Sequence, residues 1–284
     1  DESTYFLIPE FTGGEDQWKS FNQIVRANHA GTNWYDETFN PAWTTNNEIS
    51  VSGRAGIGSF LFSVNHLHQN GTLLESFLRR TGVRLNSQFN IAKNFRVGEN
   101  LFFSTFENPQ LAPDWEGVNF GLESYRTEPI IPVYDIAGNF AGTRGPGLTG
   151  GGNEVATRYR TRNNNSRNFR VFGNAFIEWD IIQGLTFKSV FGGEISTGSS
   201  RRFSYPAYEG SNGAGNNSFS AESYSGYNWV WTNTLNYRKT FADVHNVTLL
   251  AGTEAYRNKG ERLGGTTATY YSFDPDFTNL STGT

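Results

Sequence analysis

The 284-residue sequence contains no cysteine and no methionine. Without cysteine there is no disulfide framework, no thiol nucleophile and no Cys-ligated zinc or iron–sulfur centre. Without methionine even an initiator is missing, so the expectation is a processed chain or a piece of one. Charged residues make up only 18%, below the usual share. A net charge of −4 and a pI near 5.7 give no electrostatic case for nucleic acid or for anionic lipid. Long apolar runs are lacking too: no stretch approaches the roughly 18 consecutive apolar residues of a membrane helix, and the mean hydropathy is −0.53. A helical membrane protein is thereby excluded, but a β-barrel is not, because its strands alternate lipid-facing and lumen-facing residues and stay polar on average. No basic segment followed by an apolar one stands at Asp1, so no signal peptide is read there.

Present in excess are 32 Gly, 30 Asn, and aromatic residues at 15%, the mixture expected of many short strands and turns. Period-two alternation, which separates a strand from a helix, is clearest from Val83 to Ile91. There Val83, Leu85, Phe89 and Ile91 face one way, and Arg84, Asn86, Gln88 and Asn90 the other. A second case sets Phe169, Val171, Ala175, Ile177, Trp179 and Ile181 against Arg170, Asn174, Glu178 and Asp180. Further strands are expected over Leu185–Ile195, Tyr227–Phe241 and Val247 to about Arg257. Phe95–Phe106, Ser59–Gln69 and Asn47–Gly53 are weaker matches, and the total is about eight.

The connections between these strands alternate short and long: 54–58, 70–76, 92–94, 107–168, 182–184, 196–226 and 242–246. A soluble sandwich or propeller has no reason to do this, whereas an outer-membrane barrel has short periplasmic turns and long extracellular loops. The alternation sets a direction, with 47–53 descending to a periplasmic turn. Residues 1–46 then form an outer loop segment with a short helix, 47–257 the barrel strands with long outer loops 107–168 and 196–226, and 258–284 the start of a further outer loop. Aromatic residues near strand ends, Tyr227, Trp229 and Trp231 at one level and Phe95 and Phe241 at the other, fit interfacial girdles. Asp16 to Ala30 reads as the helix, with Trp18, Phe21, Ile24 and Val25 on one side. Eight strands with both ends outside do not close, and open edges are not tolerated in lipid, so further strands are expected from elsewhere.

Several segments resemble the SusC/RagA-type TonB-dependent outer-membrane transporters. Asn33-Trp34-Tyr35-Asp36-Glu37-Thr38-Phe39 resembles that family's T-D-W-x-D-E-I-F segment, and Ile49–Gly53 its first clear barrel strand. Ile131-Pro132-Val133-Tyr134-Asp135 with Gly138-Asn139-Phe140 is similar to its P-V-Y-D-x-x-G-N-Y loop. Gly173–Phe176, Gly184–Ser189, Trp231–Leu235 and Leu249–Glu254 follow in the family's order. The resemblance implies an all-β fold, a transmembrane antiparallel barrel segment of about eight strands from a plugged barrel of about 22. It also implies a plug and a TonB box that are absent from these residues. The implied partners are a SusD-like surface lipoprotein, the TonB–ExbB–ExbD system acting through that missing N-terminal part, outer-membrane lipid, and a glycan or peptide substrate. The rival readings are a self-contained small outer-membrane barrel with a structural or adhesive role, and an extracellular carbohydrate-binding β module.

Candidate chemistry is sparse. Gly145–Gly150 matches G-x-G-x-x-G, but Pro146 and the following Gly151-Gly152-Asn153 describe a loop rather than a strand-to-helix turn. His66 and His68 share a strand face without a third ligand. Glu116, Glu123, Asp135, Asp274 and Asp276 lie in loops with no verifiable pairing, and Arg158, Arg160, Arg162, Arg167 and Arg170 read as a solvated loop face. Trp115, Tyr125, Tyr205 and Tyr208 are the candidate substrate or lipoprotein contacts, since sugars stack on aromatic rings. No cofactor, metal, catalytic residue or nucleic-acid partner is expected.

Overall fold

A computed structural model describes residues 5–9, 21–26, 30–110, 123–143, 151–206 and 217–283. Two strands, β1 (Tyr5–Pro9) and β2 (Phe21–Arg26), pair as a separate antiparallel hairpin. The helix expected over Asp16–Ala30 is therefore corrected where it is described: residues 21–26 are a strand. The spacing of Phe21, Ile24 and Val25 suits a helix face, but β-branched Ile24 and Val25 also suit a strand, and pairing with β1 decides between them. A short helix does stand in this region, α1 (Trp34–Thr38).

The eight expected strands form one antiparallel sheet: β3 (Thr44–Ala55), β4 (Gly58–Asn70), β5 (Phe77–Ala92), β6 (Phe95–Pro109), β7 (Asn165–Ile182), β8 (Leu185–Ser204), β9 (Ser218–Phe241) and β10 (His245–Ala268). Each pairs with its sequence neighbour, and β3 and β10 are the two edges, so the sheet is not closed. This is not a self-contained eight-stranded barrel. The turns 56–57, 93–94 and 183–184 and the turn 242–244 lie at one end of the sheet. Gly56 and Gly184 take the positive φ that tight hairpin turns need. The short turns are also tied sideways, with Asn90 N donating to Ile57 O at 2.9 Å, Asp180 N to Asn94 O at 2.9 Å and Arg238 N to Gly184 O at 2.7 Å. The described parts of the connections 71–76, 110–164 and 205–217 lie at the other end.

Strands run longer than the sequence pattern shows. β8 continues to Ser204, β9 begins at Ser218 and β10 reaches Ala268. The reason is physical: alternation marks a strand whose two faces meet different surroundings, and the added segments, rich in Ser, Thr and Gly, are polar on both faces. β9 and β10 each have 24 residues, about twice what crosses a bilayer.

The strand register sorts side chains into two faces. Directly paired residues share a face, and one face carries successive rows across the sheet. The first row is Ile49, Val64, Val83, Phe103, Val171, Ile195 and Tyr227, and the edge strand β10 adds Lys259 to this row and Arg257 to the next. The rows below it hold Val51, Phe62, Leu85, Leu101 and Trp229, then Phe60, Ala175, Phe191 and Trp231, then Phe89, Val97 and Ile177, then Phe95, Trp179, Phe187 and Leu235, and last Ile182, Leu185, Tyr237 and Leu249. Ten residues separate the first row from the last, about 34 Å along a strand. At the roughly 40° tilt of barrel strands this is about 26 Å of height, the size of a lipid-facing apolar band. Glu99 is the carboxylate within it, and its Oε1 accepts a hydrogen bond from Ser87 Oγ at 2.5 Å. The opposite face presents Arg84, Asn86, Asn100, Arg170, Asn174, Glu178 and Glu194, the polar wall of a lumen.

Candidate functional site

At the loop end, residues 123–143 and 151–164 pack with parts of the preceding chain into a small module with its own core. Val25, Trp34, Ile131, Val133, Ala141 and Val155 are buried together, with Leu74 and Phe140 packed against them. Helices α2 (Glu123–Arg126) and α3 (Glu154–Thr161) belong to this module. Its central joint is the fully buried Asn153. Asn153 Oδ1 caps α3 by accepting from Ala156 N at 3.1 Å, and Nδ2 donates to Val133 O and Ala141 O, each at 3.0 Å. One side chain thus satisfies both a helix end and a neighbouring loop. The Glu154–Arg158 ion pair at 2.6 Å is buried in the same helix.

Two of the resembling motifs prove to build this scaffold. In the first, Trp34 is buried, and its Nε1 donates to Glu128 O at 3.3 Å. Thr38 Oγ1 donates to Trp34 O at 2.7 Å and accepts from Ser124 Oγ at 2.9 Å, so α1 is stapled to α2. In the second, Asp135 Oδ1 accepts from Ala137 N at 2.9 Å and Asn139 N at 2.8 Å, while Gly138 takes φ +84° and Tyr134 bridges Phe140. Asp135 is a turn residue.

With their neighbours fixed, other aromatic residues are left exposed. Tyr35 stacks on Phe39 at 4.7 Å and lies 5.8 Å from Tyr125, itself 71% exposed. A second array runs Tyr134, Phe140, Tyr159, with centroids 5.3 and 5.6 Å apart. Arg160 and Arg162 lie over Phe140 and Tyr159 at 5.6 and 3.6 Å. Of the four sequence candidates, Tyr125 joins the first array. Tyr205 instead packs edge-on to Phe203 at 4.6 Å, in a cluster with Phe219, Tyr270 and Phe273. Trp115 and Tyr208 lie outside the described residues. Tyr35 and Tyr159 were missed because only the fold shows which aromatic rings stay uncovered; the i, i+4 spacing of Tyr35 and Phe39 is the one local signal.

The lumen face below carries a second constellation. Arg84 lies over the Phe102 ring at 5.7 Å, Phe102 lies 5.3 Å from Phe172, and Arg170 lies over Phe172 at 5.2 Å while bonding Glu194 at 2.6 Å. Asn100 donates to Asn174 at 3.2 Å one row lower. Nearer the short turns Arg96 pairs with Glu178 at 2.7 Å and Asp180 at 2.8 Å.

The remaining candidates are accounted for structurally. Glu123 accepts from Gly152 N and pairs with Arg126 at 3.7 Å. Asp274 accepts from Asp276 N at 2.9 Å in a turn. The arginine run is divided: Arg158 is buried, Arg167 faces outward beside Glu107, and Arg170 faces the lumen. Residues 145–150 and Glu116 lie outside the described residues. His66 and His68 sit on the outward face just above the apolar band. Among the described residues no three His, Asp or Glu converge as a metal site would require. What these surfaces offer is hydrogen bonding, stacking and charge pairing.

No family model matches the sequence. Over 94% of the chain it is 24% identical to TonB-dependent receptor P3 of Formosa agariphila, and over 79% it is 22% identical to TonB-dependent receptor P26 of the same organism. The RagAB peptide importer in its closed-closed state superimposes with a TM-score of 0.76 over 96% of the chain at 21% identity. The open-open state gives 0.77 at 20%. The chain is thus similar in sequence to TonB-dependent receptors and shares the fold of the RagAB importer's barrel wall. It spans 27% and 22% of the two receptors and 31% and 30% of the two importer chains. Its relatives are receptors and importers rather than enzymes, and no catalytic activity is assigned to it. The RagA-type comparison fits an antiparallel barrel wall of which eight strands are present.

Proposed function

We propose that this segment is part of the wall and outer rim of a TonB-dependent outer-membrane importer that takes up oligosaccharides or peptides. The observation that carries this reading is the sorting of the sheet into an apolar band of about 26 Å on one face and a polar wall on the other, in a chain whose relatives are TonB-dependent receptors. In this reading the two open edges are completed by further strands of the same polypeptide, because an unpaired edge in lipid leaves a whole row of backbone groups unsatisfied. A plug fills the lumen, TonB with ExbB and ExbD drives its displacement, and a SusD-like lipoprotein covers the outer rim. The work is gated binding and release between conformations rather than covalent chemistry.

Tyr125, with Tyr35 and Phe39, is the proposed contact for substrate or lipoprotein at the rim, and Trp115, Tyr205 and Tyr208 belong to the same proposal. The test uses the full-length protein in its own cells, offered labelled oligosaccharides and labelled peptides separately. Accumulation of one class in the periplasm, abolished by deleting either the transporter or TonB, is the expected result. Uptake of both classes that persists without TonB would refute the reading. Co-purification of a surface lipoprotein that is lost on Tyr35→Ala with Tyr125→Ala would assign that array to the partner rather than to substrate.

A further inference from the structure

Above its apolar rows, the outward face changes character within a few residues. Beyond the row of Ile49, Val83 and Tyr227 come His66, Thr81, Thr105, Phe169, Thr197 and Ser225, and beyond these His68, Arg79, Glu107, Arg167, Ser199 and Ser223. The arginine row stands four residues above the first apolar row, about 14 Å along the strand and about 10 Å in height at a 40° tilt. The polar zone of a bilayer begins within several ångströms of the hydrocarbon edge, since headgroups bring a core of about 30 Å to about 40–45 Å in all. The backbone of Arg79 and Arg167 therefore stands at the outer edge of the headgroup zone, and their long side chains are able to reach down into it.

A groove of about 620 Å³ opens on this face between them, lined by His66, Arg79, Thr105, Glu107 and Arg167 among others. The Arg79 guanidinium rests on the Phe77 ring at 4.6 Å and, among the described residues, pairs with no carboxylate. Arg167 meets Glu107 at 3.2 Å, yet its side chain remains 68% exposed, leaving donors free. His68 Nε2 is buried without a hydrogen-bond partner. The site thus has two guanidinium forks at its rim, hydroxyls in its floor, and apolar strand surface beginning one row beneath that floor. That is the chemistry of a phosphate attached to acyl chains: forks for the phosphate oxygens and the apolar rows for the chains. The chain's net charge of −4 conceals this level because Glu178, Asp180 and Glu194 of the same strands face the lumen.

We propose that the groove between Arg79 and Arg167 binds the phosphate-bearing headgroup of an outer-leaflet lipid, seating the wall at a fixed depth and rotation in the membrane. The inference rests on the membrane-spanning reading above, and the experiment keeps the two separable. Full-length protein purified in neutral detergent is mixed with phosphatidic acid or with diacylglycerol of the same chains, and the lipid retained is counted by native mass spectrometry. The wild type retains phosphatidic acid on the order of tenfold more, and R79Q/R167Q loses that preference. R84Q/R170Q, on the lumen face of the same strands, keeps it. Should the outward double variant not show heat-modifiable mobility, R167Q alone carries the test, its side chain being mostly exposed.

Equal retention of both lipids, or equal loss in the lumen variant, overturns the site. Displacement by inorganic phosphate at the same concentration also overturns it, assigning the groove to a free anion. Outer-membrane fractionation judges the underlying reading. A protein that fractionates there without preferring the phosphate lipid refutes this site alone, whereas one that does not fractionate there refutes the spanning wall.

Discussion

The assignment of faces can be tested by placing one arginine at three positions of a single strand. Ile177 lies on the outward face of β7 near the middle of the band, Phe176 beside it points to the lumen, and Val171 shares the outward face at the top row. In barrels an arginine facing lipid costs about 2–4 kcal/mol at the midplane and about 0–1 kcal/mol near the interface. The Ile177 row stands six residues below the top row and about four above the lowest, so it lies within a few ångströms of the centre once tilt is applied. Ile177→Arg is therefore expected to destabilise the full-length barrel by about 3 kcal/mol, roughly a hundredfold in the folding equilibrium. Val171→Arg should cost no more than about 1 kcal/mol, because the guanidinium reaches the headgroups by snorkelling. Phe176→Arg should cost only what its ring packing contributes, with the new charge meeting water or the lumen filling. The measurement is reversible unfolding in denaturant, with the protein inserted in bilayers and folding followed by gel mobility and tryptophan fluorescence. A cost for Phe176→Arg equal to or above that for Ile177→Arg would show that the lipid and lumen faces are exchanged. Equal costs at Val171 and Ile177 would refute the depth assignment.

Three further outcomes follow from particular contacts. Gly173→Ala would drive a methyl group into the backbone of β6, against Asn100 O and with Leu101 Cα at 2.9 Å. Backbone cannot step aside as a side-chain tip can, so a loss of about 1–3 kcal/mol or more in barrel stability is expected, whereas Gly252→Ala, with its nearest neighbour at 3.3 Å, should show a smaller loss in the same unfolding assay. Asp135→Ala removes the acceptor that holds the 135–139 turn, at about 1–2 kcal/mol. Hydrogen exchange should then quicken over 133–141 while the strands stay protected, and unchanged exchange there would refute the turn's role. Glu99→Leu removes the carboxylate from the apolar band together with its bond from Ser87, and is expected to raise barrel stability, since carboxylates facing lipid are unfavourable; a drop larger than about 1 kcal/mol would mean that Glu99 faces a protein partner instead.

The sheet was legible in the sequence wherever lipid imposes a rule. Val83, Leu85 and Phe89 lie on the face proposed to meet hydrocarbon and are apolar, while Arg84, Asn86 and Gln88 lie on the face proposed to line the lumen and are polar, so the alternation marks β5 directly. The same logic explains what was illegible. Ser196–Ser204 and Ser218–Gly226 continue β8 and β9 above the membrane, where both faces meet water and nothing selects for alternation, so they read as loop. The helix expected at Asp16–Ala30 failed for a related reason: a few apolar residues at i, i+3 and i+4 do not choose between helix and strand when a pairing partner, here Tyr5–Pro9, lies outside the window.

The candidate site was less legible than the fold because its residues are defined by what their neighbours cover. Trp34 and Asp135 stand in the segments most like the transporter family, and on motif strength alone they invite a binding role. The structure spends both on scaffolding: Trp34 fills the loop core, and Asp135 closes a turn with its carboxylate. Their neighbours Tyr35 and Tyr134 face the other way and remain half exposed. Within each motif one side chain thus holds the loop framework while its neighbour stays available for contact, and the proposed rim contacts draw on the available ones. The same division separates Arg158 from Arg160 and Arg162, where one arginine is locked into a buried pair within α3 and the next two lie over the half-buried Phe140 and the exposed Tyr159. Substitution of Tyr35 or Tyr125 should therefore alter binding at little cost in stability, and substitution of Trp34 should do the reverse, costing about 3–5 kcal/mol in the loop module as a large aromatic is removed from its core.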